Sequence, residues 1–312
     1  MNRTDRAGEP TDMALDIILD TDIGTDVDDA YALLFALASP ELNLRGITLV
    51  HHDVQARWLI TAKMLQLAGR TDIPVALGEN LPMNRERRTY WDGYEGKGID
   101  YSDTGGISPV GEHASEYIAR MAAENPGKIT LCPIGPLTNV GILLRDFPNE
   151  AAKLKGLVVM GSTFEGYGPE HAAREHNAGS DPEAMKLLCE SGLPILIVGF
   201  NVTRQTSLTD EHLARIASAG TPMSELMVHM TRGWLRVCNR AQTSMHDPLA
   251  LAAAFRPEIV GTVPVSAEVS LGSPEVVTYR HDPDSNIRIC DTVDVPRFEE
   301  LFLERIYGAV GA

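Results

Sequence analysis

Five aspartates fall within ten residues, at Asp20, Asp22, Asp26, Asp28 and Asp29, directly after the apolar run Ile17-Ile18-Leu19. So many like charges at one spot repel strongly unless something cationic shares the site. The simplest partner is a hard divalent metal, which favours several oxygen ligands. The apolar run reads as a buried parallel strand. The acidic loop therefore sits at a strand's carboxyl end, where open α/β sheets build ligand sites.

A calcium loop of EF-hand type needs Gly at its sixth position and Glu at its twelfth. Counted from Asp20 those positions hold Thr25 and Tyr31, and from Asp22 they hold Val27 and Leu33, so that reading fails. Asp20-Thr21-Asp22 also matches the Asp-x-Asp of haloacid dehalogenase phosphatases, but Gly24 stands where Thr or Val is usual, and Asp28 and Asp29 are left without a role. A third match extends much further. Asp20-Thr21-Asp22-Ile23-Gly24, a short spacer and Val27-Asp28-Asp29-Ala30 resemble the opening motif of the inosine-uridine nucleoside hydrolase family. Pro133-Ile134-Gly135-Pro136-Leu137-Thr138-Asn139 is similar to its P-T-G-P-L-T-N turn, and Val158-Val159-Met160-Gly161 to its V-M-G strand end. Glu175-His176-Asn177, then Asp181-Pro182-Glu183-Ala184, resemble its E-F-N and D-P-E-A segments, and His246-Asp247-Pro248-Leu249-Ala250 its H-D-P-L-A motif.

The resemblance implies calcium (Ca2+) as the metal and cleavage of the N-ribosyl bond of a ribonucleoside to ribose and free base. Such cleavage develops oxocarbenium character on the sugar. Calcium acidifies bound water less than zinc does, so a carboxylate base is needed beside it. By the resemblance, Asp22 binds the metal and accepts the proton from water, while Asp29, Asp247 and the Ile134 carbonyl complete the metal ligands. Asp28 would hold the ribose 2′-hydroxyl and Asp247 the 3′-hydroxyl. Glu175 and Asn177 would contact the outer hydroxyls, with Met160 packing on the sugar. His246 is the candidate acid for the departing base.

Each residue also has a plainer reading. Asp28 is placed to cap the helix that follows, Asp20 to brace the loop, and Met160 to fill core. Asp26 lies in a two-residue expansion of the family motif and receives no role. Asp53 falls where relatives have Asn, and is a candidate for metal binding or a ribose hydroxyl; it also has the position of a helix cap. Asp92 stands in place of a His, Gly168-Pro169 in place of an Asn, and His176 in place of an aromatic. These departures put the usual inosine or uridine preference in question. A modified nucleoside or other N-riboside as substrate, or a non-catalytic metal-dependent riboside binder, are the alternatives. Tyr90, Trp91, Tyr94, Phe164, Tyr167 and Trp234 are candidates for stacking on the base.

The elements that must position these residues alternate along the chain. Ile17–Leu19, Leu44–Val50, Ile129–Cys132, Leu157–Met160 and Ile195–Val198 read as strands. Asp29–Ser39, Val54–Ala68, Gly111–Ala123, Thr138–Arg145 and Pro182–Ser191 read as helices, with Asp53 and Asp181 as caps and Pro40 and Gly69 as stops. This alternation indicates an α/β fold, a mostly parallel Rossmann-like sheet with helices on both faces, in a single domain over 15–312 after a disordered tail at 1–14. Segments 79–109 and 161–180 read as binding loops. Residues 263–291 alternate like strands extending the sheet, and Val295–Val310 reads as a closing helix.

With 312 residues, 44% hydrophobic and 22% charged, the chain can bury a sizeable core. A net charge of -16 argues against nucleic-acid and anionic-membrane partners. No apolar run approaches a membrane span. Four scattered cysteines without paired spacing fit neither a zinc site nor a disulfide framework, and suggest a cytoplasmic protein with reduced thiols. The family resemblance implies a homodimer or homotetramer.

Overall fold

Leu15–Thr21 forms the strand β1, and its three central residues Ile17, Ile18 and Leu19 are completely buried. Alternate side chains of a strand point to opposite faces. Accordingly Ile17 and Leu19 enter one hydrophobic core while Ile18 enters another across the sheet. Each such burial stabilises the fold by about 1.5–3 kcal/mol. The computed structural model describes residues 14–89, 93–104, 106–164 and 168–311. The tail expected at the amino terminus lies outside them, apart from its last residue.

Eight further strands follow: β2 (Leu42–Leu49), β3 (Val75–Leu77), β4 (Thr130–Pro133), β5 (Gly156–Met160), β6 (Ile195–Val198), β7 (Val260–Ser270), β8 (Val276–His281) and β9 (Ile287–Val293). They make one sheet in the order β3-β2-β1-β4-β5-β6-β9-β7-β8. All neighbours from β3 to β9 run parallel, and β7 pairs antiparallel with both β9 and β8. The expected mostly parallel sheet is thus present, and the alternating region near the end of the chain does extend it.

Strand order reverses at β1, which lies between β2 and β4. At such a switch point the loops leaving neighbouring strands diverge and open a crevice at their carboxyl ends. The loops after β1 and β4 carry the acidic motif and Ile134 into that crevice.

The expected helices form with boundaries moved by a residue or a few, as Asp28–Ala38, Val54–Leu67, Ala114–Glu124, Thr138–Asp146 and Pro182–Glu190. Asp53 accepts from the Ala56 N–H and Asp181 from the Ala184 N–H, so both act as caps. The third helix begins three residues later than its periodicity suggested, because His113 and Glu116 close a capping box at Ala114. Val295–Val310 is helical as expected. The segment 161–180, expected as a loop, contains two short helices, Pro169–Arg174 and His176–Ser180. Helix His246–Phe255 packs against Asp28–Ala38, which brings the first turns of the two helices together.

Candidate active site

A buried arginine anchors the acidic loop. Arg57, on helix Val54–Leu67, is completely buried, and its guanidinium donates to the carbonyls of Asp22, Ile23 and His51 and to the Thr25 hydroxyl. Gly24 turns the loop at φ +105°, where a Cβ would also come within 2.7 Å of Ile60 Cδ1. Asp20 is a brace: its carboxylate accepts from the Thr48 hydroxyl and from Asn139 Nδ2, at 2.5 and 2.7 Å. Complete burial pushes its carboxyl up to about 7.

Asp28 and Asp29 open one helix and Asp247 lies in the first turn of the other. All three are at most 3% exposed, and oxygens from all three lie within 4.8 Å of one another. The Asp247 N–H donates to Asp28 Oδ2 at 3.1 Å, and the Thr21 hydroxyl donates to Asp29. Helix amino termini favour negative charge. That is not enough here: burial first, and the neighbouring aspartate charges second, hold all three carboxyls well above the usual range. A divalent cation would relieve both penalties at once, so this donor set fits a hard, oxygen-seeking metal.

Asp22 is 3% exposed and behaves differently. Burial opposes its ionisation, but the His176 ring, 3.4 Å away, and the Arg57 charge outweigh that and bring it down to about 2. It remains a carboxylate throughout the neutral range.

His246 stacks on Phe200, with ring centres 5.6 Å apart, and its Nδ1 lies 2.7 Å from the Thr203 hydroxyl. Burial, then the Arg240 charge, lowers it to about 4, so the metal-free ring is neutral at pH 7. When Thr203 donates to Nδ1, the ring proton resides on Nε2.

These residues line a cavity of about 520 Å³ that also includes Ile134, Met160, Glu175 and Asn177. Asn177 Nδ2 donates to the carbonyls of Ile134 and Met160, at 2.7 and 3.1 Å, and each carbonyl has a second lone pair. Glu175 caps helix His176–Ser180, accepting from the N–H groups of Asn177 and Ala178, and also accepts from Ser162. The structure therefore brings together Asp22, Asp28, Asp29, Ile134, Met160, Glu175, Asn177, His246 and Asp247. It does not bring Asp53, which is exposed and engaged as a helix cap outside the lining.

Among the stacking candidates, Trp234 lines the cavity. Phe164 instead packs in the core near Tyr279, and Tyr94, whose hydroxyl donates to the Thr25 carbonyl, is not in the lining. Tyr90, Trp91, Asp92 and Tyr167 lie outside the described residues. Sequence reasoning assigned no role to Asp26, Thr203, Phe200 or Arg240. Asp26 lines the cavity, with burial pushing its carboxyl up to about 7. Only its place in an acidic run hinted at this.

The sequence matches the model of the inosine-uridine preferring nucleoside hydrolases over residues 17–300. The chain belongs to this family. It is 31% identical to the pyrimidine-specific ribonucleoside hydrolase RihA of Shigella boydii, over 94% of this chain and 99% of that protein. The purine-preferring ribonucleoside hydrolase of Gardnerella vaginalis superposes with a TM-score of 0.82 at 26% identity, covering 95% of this chain and 99% of the other. The plant nucleoside hydrolase PpNRh1 superposes with a TM-score of 0.81 at 27% identity, covering 94% and 99%. The protein is thus a nucleoside hydrolase, an N-glycosyl hydrolase with a candidate acidic metal site in its cavity. Among the described residues no helix is long and apolar enough to cross a membrane. Cys132, Cys189 and Cys290 are free thiols.

Proposed function

We propose that this nucleoside hydrolase is a calcium-dependent N-ribohydrolase that converts a ribonucleoside and water to ribose and free base. The observation that carries the reading is the convergence of Asp28, Asp29 and Asp247 in the cavity that also presents Asp22 and His246. Asp22, Asp29, Asp247 and the Ile134 carbonyl would hold the ion, and calcium bound there would orient a water and the sugar diol.

The chain's own groups supply the rest. Asp22, ionised at neutral pH, accepts the proton of the attacking water. Asp28 takes the 2′-hydroxyl and Asp247 the 3′-hydroxyl, which selects ribose. Glu175 and Asn177 reach the outer hydroxyls, and Met160 covers the apolar side of the sugar. As the C–N bond breaks, negative charge develops on the base, and the neutral His246 ring donates a hydrogen bond to it from Nε2. The departed base then takes a proton from solvent, and Asp22 returns to solvent the proton it accepted from water. Phe200 and Trp234 offer aromatic surface to the base. The relatives named above differ in base preference, so the substrate class is a ribonucleoside, modified bases and other N-ribosides included. Free thiols fit a cytoplasmic location, and the family resemblance supports a homodimer or homotetramer.

The test is release of reducing sugar from ribonucleosides by the wild type and by Asp22→Asn, with folding checked by circular dichroism. Wild-type release, with a loss of about 100-fold or more in the folded variant, is expected for removal of a general base. No release by the calcium-loaded wild type overturns the activity, and equal release by the variant overturns the role of Asp22.

A further inference from the structure

The backbone after β2 turns at His51 and His52, both in the left-handed region with φ of +76° and +52°. Such φ values are uncommon for residues with a Cβ, and strain of this kind tends to collect at functional sites. The turn buries His51 to 4% exposure and sets its ring across from His176, with centroids 5.4 Å apart at 88°. A ring nitrogen of each and an oxygen of Asp22 lie within 4.8 Å of one another.

Asp22 Oδ2 and His176 Nε2 are both buried, and neither makes a hydrogen bond although they stand only 3.4 Å apart. A charge-assisted hydrogen bond between them would be about 2.7–2.9 Å long. Ligand atoms around a tetrahedral ion with bonds of about 2.0–2.1 Å are instead separated by about 3.3–3.4 Å. The 3.4 Å gap matches that ligand–ligand separation rather than a hydrogen bond.

We propose that Asp22, His51 and His176 form a second cation site, distinct from the all-carboxylate cluster and selective for a borderline divalent transition ion such as zinc. Imidazole nitrogen suits zinc and its neighbours, whereas calcium takes oxygen. The Arg57 charge nearby disfavours a cation, but the Asp22 carboxylate is itself a ligand and Glu175 lines the same cavity. Asp22 belongs to both sites, so an ion here engages the carboxylate that would otherwise accept the proton of water. The inference concerns binding, and because Asp22 is shared, its two carboxylate oxygens would serve the two ions separately when calcium is also bound.

The experiment is titration of the metal-stripped full-length protein with zinc by calorimetry, and with cobalt by visible absorption, each in saturating calcium. The wild type should bind one ion, with the intense visible bands of four-coordinate cobalt. His176→Phe, and His51→Gly, which suits the left-handed backbone, should each weaken zinc by about 100-fold, the upper end of what disturbing a metal's surroundings costs. Melting curves confirm that each variant is folded, so either variant decides the matter if the other does not fold. Unchanged zinc affinity in a folded variant marks an adventitious ion only. That result, displacement of zinc by calcium, or no zinc binding by the wild type overturns the proposal. Because the readout is binding, a failure here is separable from a failure to hydrolyse nucleosides.

Discussion

Replacing Asp29 by Asn removes one charge from the carboxylate cluster while keeping an oxygen to accept the Thr21 hydroxyl. The three carboxyls have raised pKa values in the folded, metal-free protein, so the fold binds protons that the unfolded chain has released. Metal-free stability therefore falls as pH rises from the unfolded carboxyl value of about 4 toward the raised folded values. Each such group contributes about 1.4 kcal/mol of lost stability per pH unit within that window. At about 2.1 cal/mol/K of unfolding entropy per residue over 312 residues, this is about 2 °C per pH unit. Calcium at 100 times its Kd adds about 2.7 kcal/mol, or about 4 °C. Asp20 is pushed up to about 7 as well but is present in both proteins and cancels in the comparison. Asp26, also at about 7, is raised in part by the Asp29 charge, so its change adds to the same trend. Calorimetric melting of stripped and calcium-loaded protein from pH 5 to 8 is the assay. Metal-free Asp29→Asn should lose about 2 °C less per pH unit than the wild type, overtake it by pH 8, and lose most of its calcium gain. A stripped variant that melts below the wild type at pH 8 and still gains 4 °C from calcium would refute the reasoning.

Thr203→Val keeps the shape of a completely buried side chain but removes the hydroxyl beside His246 Nδ1. It should lower kcat by about tenfold, the equivalent of one hydrogen bond, while KM changes little; an unchanged kcat would free His246 from that partner. Arg57→Met leaves three carbonyls without their buried donor and should cost about 3 kcal/mol or more in urea unfolding. A loss below about 1 kcal/mol would show that the loop does not depend on it. Gly135→Ala would bring a Cβ within 2.7 Å of both the backbone nitrogen and Oδ1 of Asp22. It should weaken calcium binding, measured by calorimetry, and unaltered binding would show that Asp22 can shift at no cost.

The central strands were legible because Ile17–Leu19 and Ile195–Val198 are short apolar runs between turn signals. The acidic cluster was legible because Asp28 and Asp29 sit together in an unusual local density of charge. Strand β3, only three residues long, is too short to show a period. Asp53 illustrates a different limit: an Asp before a helix has the same local signature whether it caps or binds, and here the cap explains it. Nor does any local pattern reveal that His51, after β2, meets His176, 125 positions later, at Asp22. Their meeting depends on the loops after β1 and β2 and the short helix His176–Ser180, which follows β5, being brought together. Likewise Thr203 reaches His246 from a separate short helix, Phe200–Thr203.

The most direct test of calcium-dependent ribonucleoside hydrolysis is ribose release from a panel of purine, pyrimidine and modified ribonucleosides. The protein is assayed with bound calcium and again after stripping with a chelator. Release of stoichiometric ribose and free base from at least one ribonucleoside, lost on stripping and restored by calcium, is the expected result. Equal release with and without calcium, or none from any ribonucleoside with calcium confirmed bound, would contradict it.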